Sequence, residues 1–333
     1  MTAVDLADDE KGICAMTEQA VAVIIPYFNG GAFISEALGM LRRQTRAPDE
    51  IIVVDDGSLP DQAAQLKTAA DQFGARVLTQ LNQGPGVARN LGAASTKASL
   101  IAFLDVDDVW DDDKLARQSA CFSQRPQNDL VMSESRTVRP DGQVEYVSQL
   151  ANLERKTFID LILKGRIHSF TSSMMFRAAF FQKLGGFEPA LRFREDHLIL
   201  MRSLLEGTVE IIPEALSSRR LHLNSMSGAG SNQDLTVRLK RAELFWTHAA
   251  AFLPSLPRRR LLAFEMQRLA KNYIVAGRPL DAAGAAVRAF TLEPTRPKRL
   301  AYAVAAAWSC VQPARFDHWH SGLASMRKLR AGR

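Results

Sequence analysis

Three short apolar runs, each ended by a polar cluster, constrain this chain more than anything else in it. Val21-Ala-Val-Ile-Ile25 leads into Pro26-Tyr-Phe-Asn29, Ile51-Ile-Val-Val54 into Asp55-Asp-Gly-Ser58, and Leu100-Ile-Ala-Phe-Leu104 into Asp105-Val-Asp-Asp108. Near-continuous apolar runs of this length read as strands covered on both faces. Between them, residues 33–43, 61–73 and 86–98 have helical spacing, with Gly74 as a stop for the second helix. Another short strand is expected at residues 75–79. Strand and helix in alternation predict an α/β fold with a doubly wound, mostly parallel sheet. Sheets of this kind bind ligands beyond the carboxyl ends of their strands. The three polar clusters are therefore expected to serve one nucleotide.

The third cluster carries most of the chemistry. Asp105, Asp107 and Asp108 stand within four residues, and Asp111, Asp112 and Asp113 follow. Charges this close repel, and a divalent cation on a diphosphate would offset the repulsion. Mg²⁺ and Mn²⁺ prefer oxygen ligands and bridge protein carboxylates to phosphates. For an isolated Asp-x-Asp, a solvated acidic loop ahead of a helix starting near Lys114 is the better reading. The other clusters give it company. Phe28 could stack on a flat base or pack in the core. Asp56 could accept from a base N–H or a ribose hydroxyl, or cap a helix. Gly57 lets the backbone turn close to a ligand. Asn82-Gln-Gly-Pro-Gly86 feeds a helix N-terminus suited to anions, with Arg89 and Asn90 on its first turns. Arg194-Glu-Asp-His197 puts two acids at a helix start, where they usually complement the helix dipole. Opposite a bound electrophile, one of them can act as a general base.

Beyond Lys114 the pattern changes. Strands are expected at 129–133 and 144–147 around an Asp141-Gly142 turn, and at 171–177. Helices are expected at 158–163, at 178–184 with a Gly185-Gly186 stop, and at 196–205. From residue 235 the chain is rich in Ala, Leu and Arg at helical spacing and interrupted by prolines. One stretch around Ala270-Lys-Asn-Tyr273, Gly277, Phe290 and Pro294 echoes a tetratricopeptide-like helix pair, which predicts an αα-hairpin. Residues 235–333 hold 18 Lys/Arg against 5 Asp/Glu, although the net charge of the whole chain is only +6. A basic appendage could touch anionic lipid or a phosphate-bearing acceptor, or simply be a solvated helical surface. Nothing in the chain points to nucleic acid as a partner.

No apolar run approaches the roughly 20 residues needed to span a bilayer. Residues 300–311 come nearest and are too short. The acidic start, with Asp5, Asp8, Asp9 and Glu10, has neither the basic nor the apolar part of a secretory signal. Cys14, Cys121 and Cys310 form no disulfide framework and suit a reducing cytoplasm. The expected organisation is a disordered lead-in at 1–20, a catalytic domain at 21–234, and a helical appendage at 235–333 that serves docking rather than chemistry.

Taken in order, these pieces resemble family 2 glycosyltransferases, inverting nucleotide-sugar enzymes of the GT-A fold. The matching text is Val23-Ile-Ile-Pro-Tyr-Phe-Asn29, Val53-Val-Asp-Asp-Gly-Ser58, Gly86-Val-Ala-Arg-Asn90, Phe103-Leu-Asp-Val-Asp-Asp108, Leu184-Gly-Gly-Phe187 and Arg194-Glu-Asp196. The resemblance implies the GT-A fold and a nucleoside-diphosphate sugar donor, UDP-linked by preference. It implies a carbohydrate or lipid-linked acceptor and a divalent cation, Mn²⁺ or Mg²⁺. It places Pro26, Phe28, Asp56, Arg89 and Asp105 at the nucleotide, Asp105 on the ribose or in the metal shell, and Asp107 at the metal. It makes Asp196 the catalytic base. Arg220-Leu-His222, with Ser225-Met-Ser227, resembles a later segment near the diphosphate, so His222 is a second candidate metal or phosphate contact. Sugar hydroxyls would be read by residues 108–117 and 166–173. The setting implied is polysaccharide, glycolipid or glycoprotein assembly in the cytoplasm, at the inner membrane face.

Two alternatives compete. A haloacid-dehalogenase-type phosphatase also ends a strand in Asp-x-Asp, but it needs an early nucleophilic Asp where this chain has Pro26-Tyr27-Phe28. A nucleotide-sugar-binding protein without turnover would have little use for both Asp107 and Asp196.

Overall fold

The computed structural model describes residues 19–167, 170–222, 235–275 and 278–294. Most of the expected lead-in, Cys14, Cys310, Ser225-Met-Ser227 and residues 300–311 lie outside them. So does part of the expected 166–173 loop.

The chain begins with the predicted alternation: β1 (Val21–Tyr27), α1 (Gly31–Arg43), β2 (Glu50–Asp55), α2 (Pro60–Phe73), β3 (Arg76–Thr79), α3 (Pro85–Ala94) and β4 (Leu100–Phe103). It continues with β5 (Val109–Trp110), α4 (Lys114–Gln124), β6 (Leu130–Val138), β7 (Val144–Val147) and α5 (Arg155–Leu163). A 3₁₀ turn at Thr171–Ser173 leads into β8 (Met174–Arg177) and α6 (Ala178–Lys183). The described elements end with α7 (Glu195–Glu206), β9 (Val209–Arg220), α8 (Leu235–Phe252), α9 (Arg258–Val275) and α10 (Pro279–Leu292).

The strands join in the order β3-β2-β1-β4-β8-β6-β9-β5, with β7 alongside β6. The pairings run β1, β2, β3, β4, β6 and β9 one way and β5, β7 and β8 the other, a mostly parallel sheet. This is the expected α/β class. β1 lies at its heart, with Val21, Ala22, Val23, Ile24 and Ile25 all fully buried. Burying a Val or Ile side chain is worth about 1.5–3 kcal/mol, so β1 anchors the core. Val21, Val23 and Ile25 pack with α1, α2 and α4 through Leu38, Leu41, Leu66, Leu115 and Phe122. On the other face α3 comes so close that a Cβ on Gly92 would sit 2.5 Å from Ile24 Cγ2.

Two compact units emerge. The first holds residues 19–151, 170–189 and 203–221 and contains the sheet. The second gathers residues 152–167 and 190–202 with the helices beyond 235. The helical region therefore draws in α5 and the start of α7 from the middle of the chain. Within it, α9 and α10 form the predicted hairpin around Met266, Leu269, Ala270, Ala282, Ala286 and Ala289.

The structure also differs in detail from the sequence reading. Residues 171–173 form a turn rather than the start of a strand, and α3 stops at Ala94, where the Ser95 hydroxyl and N–H both turn back to Gly92 O. β9 and the two-residue β5 are elements the sequence did not announce. Among the described residues, no helix is long and apolar enough to cross a membrane.

Candidate active site

β1, β2 and β4 run parallel, so the segments after Tyr27, Asp55 and Phe103 leave the sheet at the same end. Phe28 is 51% exposed, an aromatic face open to a partner. Pro26 precedes it in β1, level with Val54 of β2. Asp56 is buried and holds the loop that enters α3. Its carboxylate accepts from Gln80 Nε2 at 2.7 Å, Gln83 N at 2.8 Å and Gly84 N at 2.8 Å. Three of a carboxylate's roughly four acceptor positions are thus taken. Asp55 closes the same turn by accepting from Ser58 N at 3.0 Å.

The acidic turn after β4 is held from three sides. Arg89, on α3 and only 3% exposed, places Nη2 2.5 Å from Asp105 Oδ1. The structure thus sets Arg89 behind Asp105, as its orienting partner. Ser172, in the 3₁₀ turn, takes the Asp105 N–H on its Oγ at 3.0 Å and donates to Asp108 Oδ2 at 2.6 Å. Arg220, at the end of β9, donates from Nε to the Asp107 carbonyl at 2.6 Å and pairs with Glu36 through Nη1 at 2.6 Å. Asp108 is buried, and its carboxyl is pushed well above the usual range by burial first, then by the charges of Asp105 and Asp107. The Ser172 hydrogen bond and Arg219 work in the opposite direction. Negative charge is thus crowded at this strand end, as the sequence suggested.

A relay explains two motifs that lie 97 residues apart. Asn90 Nδ2 donates to Phe187 O at 2.7 Å, and Phe187 N donates to Asn90 Oδ1 at 2.8 Å. Gly186 has φ +72°, and a Cβ there would sit 2.4 Å from Asn90 Oδ1. The Phe187 ring lies 5.2 Å from the Arg89 guanidinium and packs edge-on against Phe103. Asn90 thus fixes Phe187, Phe187 supports Arg89, and Arg89 orients Asp105.

Asp196 and His222 belong to the second unit. Asp196 stands in the first turn of α7, accepts from His197 N at 2.8 Å and has His197 Nδ1 3.1 Å away. His222 follows β9 and is partly buried. Among the described residues, no three His, Cys, Asp or Glu side chains form a metal cage. The residues fit a different mode of holding a hard cation, through one or two carboxylates and substrate phosphates. Asp105 and Asp107 are both partly exposed, Asp105 being paired with Arg89, whereas Asp108 is buried.

Sequence reasoning did not single out Ser172, Arg219 or Arg220 as site residues. Arg220 carried a signal, because it opens the Arg220-Leu-His222 stretch. Ser172 fell within the 166–173 stretch expected at the sugar, but nothing marked it individually.

Comparison with known proteins agrees with this geometry. The family model described as "Glycosyl transferase family 2" matches residues 22–185. The chain belongs to that family. The glycosyltransferase is 28% identical over 225 residues to an uncharacterized glycosyltransferase of Nostoc sp., covering 64% of this chain and 69% of that one. It is 25% identical over 247 residues to an uncharacterized glycosyltransferase of Rickettsia prowazekii, covering 73% and 74%. Among solved structures, S. aureus TarS in complex with UDP-GlcNAc aligns with TM-score 0.55 and 18% identity, over 88% of this chain and 92% of that one. The TarS complex with UDP aligns over the same shares with TM-score 0.53 and 18% identity. At this identity the likeness speaks for the fold, which is of the GT-A type.

Proposed function

We propose that this glycosyltransferase moves a sugar from a nucleoside-diphosphate donor, UDP-linked, to an acceptor hydroxyl with inversion. The observation that carries the reading is the acidic turn held by Arg89, Ser172 and Arg220 at the strand ends. Donor chemistry is supported by the UDP and UDP-GlcNAc complexes of TarS. Phe28 stacks on the base and Asp56 accepts from its N–H. Pro26 borders the base, Asp105 contacts the ribose, and Arg89 keeps Asp105 in place. Asp107 would hold a divalent cation, with His222 as a further contact. Such a cation supplies Lewis-acid stabilisation of the diphosphate leaving group.

The chain's own residues account for the remaining steps. Asp196 takes the proton from the acceptor hydroxyl as its oxygen bonds to the anomeric carbon. The bond from that carbon to the diphosphate oxygen breaks, and the electron pair leaves with the diphosphate. The anomeric centre passes through an oxocarbenium-like state, as in glycoside hydrolysis. Arg219 and Arg220 offset charge on the acidic turn and its ligand. Holding donor and acceptor in one geometry supplies much of the acceleration. The acceptor is a carbohydrate or lipid-linked group, and the basic segment beyond residue 235 gives peripheral contact with an anionic membrane.

A thermal-shift panel of nucleoside-diphosphate sugars, with and without Mn²⁺, tests this reading. UDP and one UDP-sugar are expected to raise the melting temperature in a Mn²⁺-dependent way, and Asp107→Asn is expected to abolish that dependence. Unchanged Mn²⁺-assisted binding in the folded mutant would remove Asp107 from the metal site. A panel in which no nucleotide binds would overturn the donor assignment.

A further inference from the structure

Arg194 precedes the two acids of α7 and has features unexpected in a loop arginine. Its φ is +66°, in the left-handed region that disfavours residues other than glycine. Its side chain is buried, and burial pulls its pKa down to about 10 against the opposing pull of Glu265 and Asp196. A strained backbone and a desolvated cation persist only where the surroundings impose them.

Those surroundings come from three helices of the second unit. The carbonyls of Ile162 and Leu163, at the end of α5, accept from Arg194 Nη2. The guanidinium lies 3.8 Å from the Phe245 ring of α8. Glu265 of α9, itself 2% exposed, supplies the largest attractive charge and is paired with Arg268 at 2.8 Å. Trp246 closes the cage by donating to Leu163 O at 3.3 Å. Two further Arg–Phe contacts join α8 to the same stretch: Arg241 over Phe193 at 5.3 Å and Arg202 over Phe252 at 4.2 Å. Positions 241, 245 and 252 share one face of a helix. That face of α8 follows residues 193–202, which carry Glu195 and Asp196.

We infer that Arg194 is a positioning residue, through which α5, α8 and α9 fix the start of α7 and hence the Asp196 carboxylate. The inference rests on the reading of Asp196 as the base. It gives the helices beyond residue 235 a part in the chemistry, so a chain ending at residue 234 should lack an ordered base.

The test uses the full chain and four variants: Arg194→Met, Arg194→Lys, Phe245→Leu and Phe252→Leu. Misplacing a reacting group by about 1 Å can cost on the order of 100-fold in rate. With the donor selected by the thermal-shift panel, Arg194→Met should lower kcat at least ~10-fold. Donor KM and calorimetric UDP binding should stay within about twofold of wild type, and Arg194→Lys should recover part of the loss. Phe245→Leu keeps the cation and its carbonyl partners but removes the aromatic face, so it decides the matter if the Arg194 variants do not fold. It should lower kcat, whereas Phe252→Leu, at the far end of the same face, should not. Hydrogen exchange over residues 192–197 should rise in Arg194→Met and Phe245→Leu, a readout independent of the donor.

Combining Arg194→Met with Asp196→Asn separates the two ideas. If Arg194 acts through Asp196, the double mutant should turn over no more slowly than Asp196→Asn alone. A near wild-type Asp196→Asn would overturn the base assignment. A slow Asp196→Asn beside a folded Arg194→Met of normal kcat and unchanged exchange would overturn the positioning role alone. Equal damage from Phe245→Leu and Phe252→Leu would show general loosening of α8 and also overturn it.

Discussion

Replacing Asn90 by Ala tests the relay behind the acidic turn. The side chain satisfies both backbone groups of Phe187, at 2.7 and 2.8 Å, and the Phe187 side chain is fully buried. Alanine removes two hydrogen bonds and leaves an N–H and a C=O without their partner. A net hydrogen bond is worth about 0.5–1.5 kcal/mol, and a buried group left unsatisfied costs about 1–3 kcal/mol. One bond merely lost and one group stranded give roughly 2–4 kcal/mol. For a unit of this size each kcal/mol moves the melting temperature by roughly 2–4 °C, so a fall of roughly 4–16 °C is expected. Urea unfolding followed by tryptophan fluorescence measures the free energy, and calorimetry with UDP measures the site. UDP binding should weaken as well, because Phe187 supports Arg89 and Arg89 orients Asp105. Asn90→Asp keeps the acceptor but loses the donor, and it adds charge one residue from Arg89, so it should rescue little. A loss below about 0.5 kcal/mol in Asn90→Ala, with normal UDP affinity, would refute the relay.

Asp196→Asn should bind donor normally and turn over at least ~100-fold more slowly, the scale of general-base loss; near wild-type steady-state kinetics would move the base to another residue. Lys114 is fully buried with its amine 3.8 Å from the Trp110 ring, and burial holds its pKa well below the usual lysine range. The folded state therefore loses stability as pH falls from the unfolded lysine range toward the folded pKa, and Lys114→Met should flatten that slope while losing the amine's hydrogen bond to the buried Gln118 Oε1 at 2.5 Å. Urea midpoints between pH 6 and 10 with the same slope in the mutant would expose an error. Asp108 has the opposite sense: its raised folded pKa favours the fold below the unfolded carboxyl range, and that benefit is lost as pH rises through the folded pKa. Asp108→Asn should accordingly raise the melting temperature more at pH 8 than at pH 5, and an equal shift at both would deny the charge effect.

What was legible in the sequence follows burial. β1, β2 and β4 are covered on both faces and read as unbroken apolar runs, which is why their order and polar ends could be seen. β9 escaped notice because Pro213 and Glu214 interrupt it, and its pairing with β6 shifts register twice near Glu134. Its stability comes from neighbours distant in sequence rather than from its own pattern. The carboxylates of the site were visible, since a crowd of like charges after a strand has few structural uses. Their supports were hidden. Ser172 looks like any serine until a turn brings it 2.6 Å from Asp108, 64 residues earlier. Arg89 read as a candidate nucleotide contact, and its burial and pairing with Asp105 could not be seen from the sequence. In the basic tail, the net charge drew attention away from Phe245 and Trp246, whose burial ties α8 to segments from the middle of the chain.

The supports of the acidic turn have a consequence for synthesis. Asp105 leaves the ribosome together with Arg89, but Ser172, Phe187 and Arg220 follow much later in the chain. At about 5–20 residues per second, the roughly 115 residues from Asp105 to Arg220 take on the order of 6–23 s to appear. During that interval β1, β2, β3 and β4 can already pair, while the carboxylates of the turn lack most of what steadies them. The nascent sheet would therefore mature from one edge, with the Asp56 turn complete first and the Asp105–Asp108 turn last. A chain released before β9 has emerged would carry a nearly finished parallel edge of the sheet beside an unrestrained knot of negative charge.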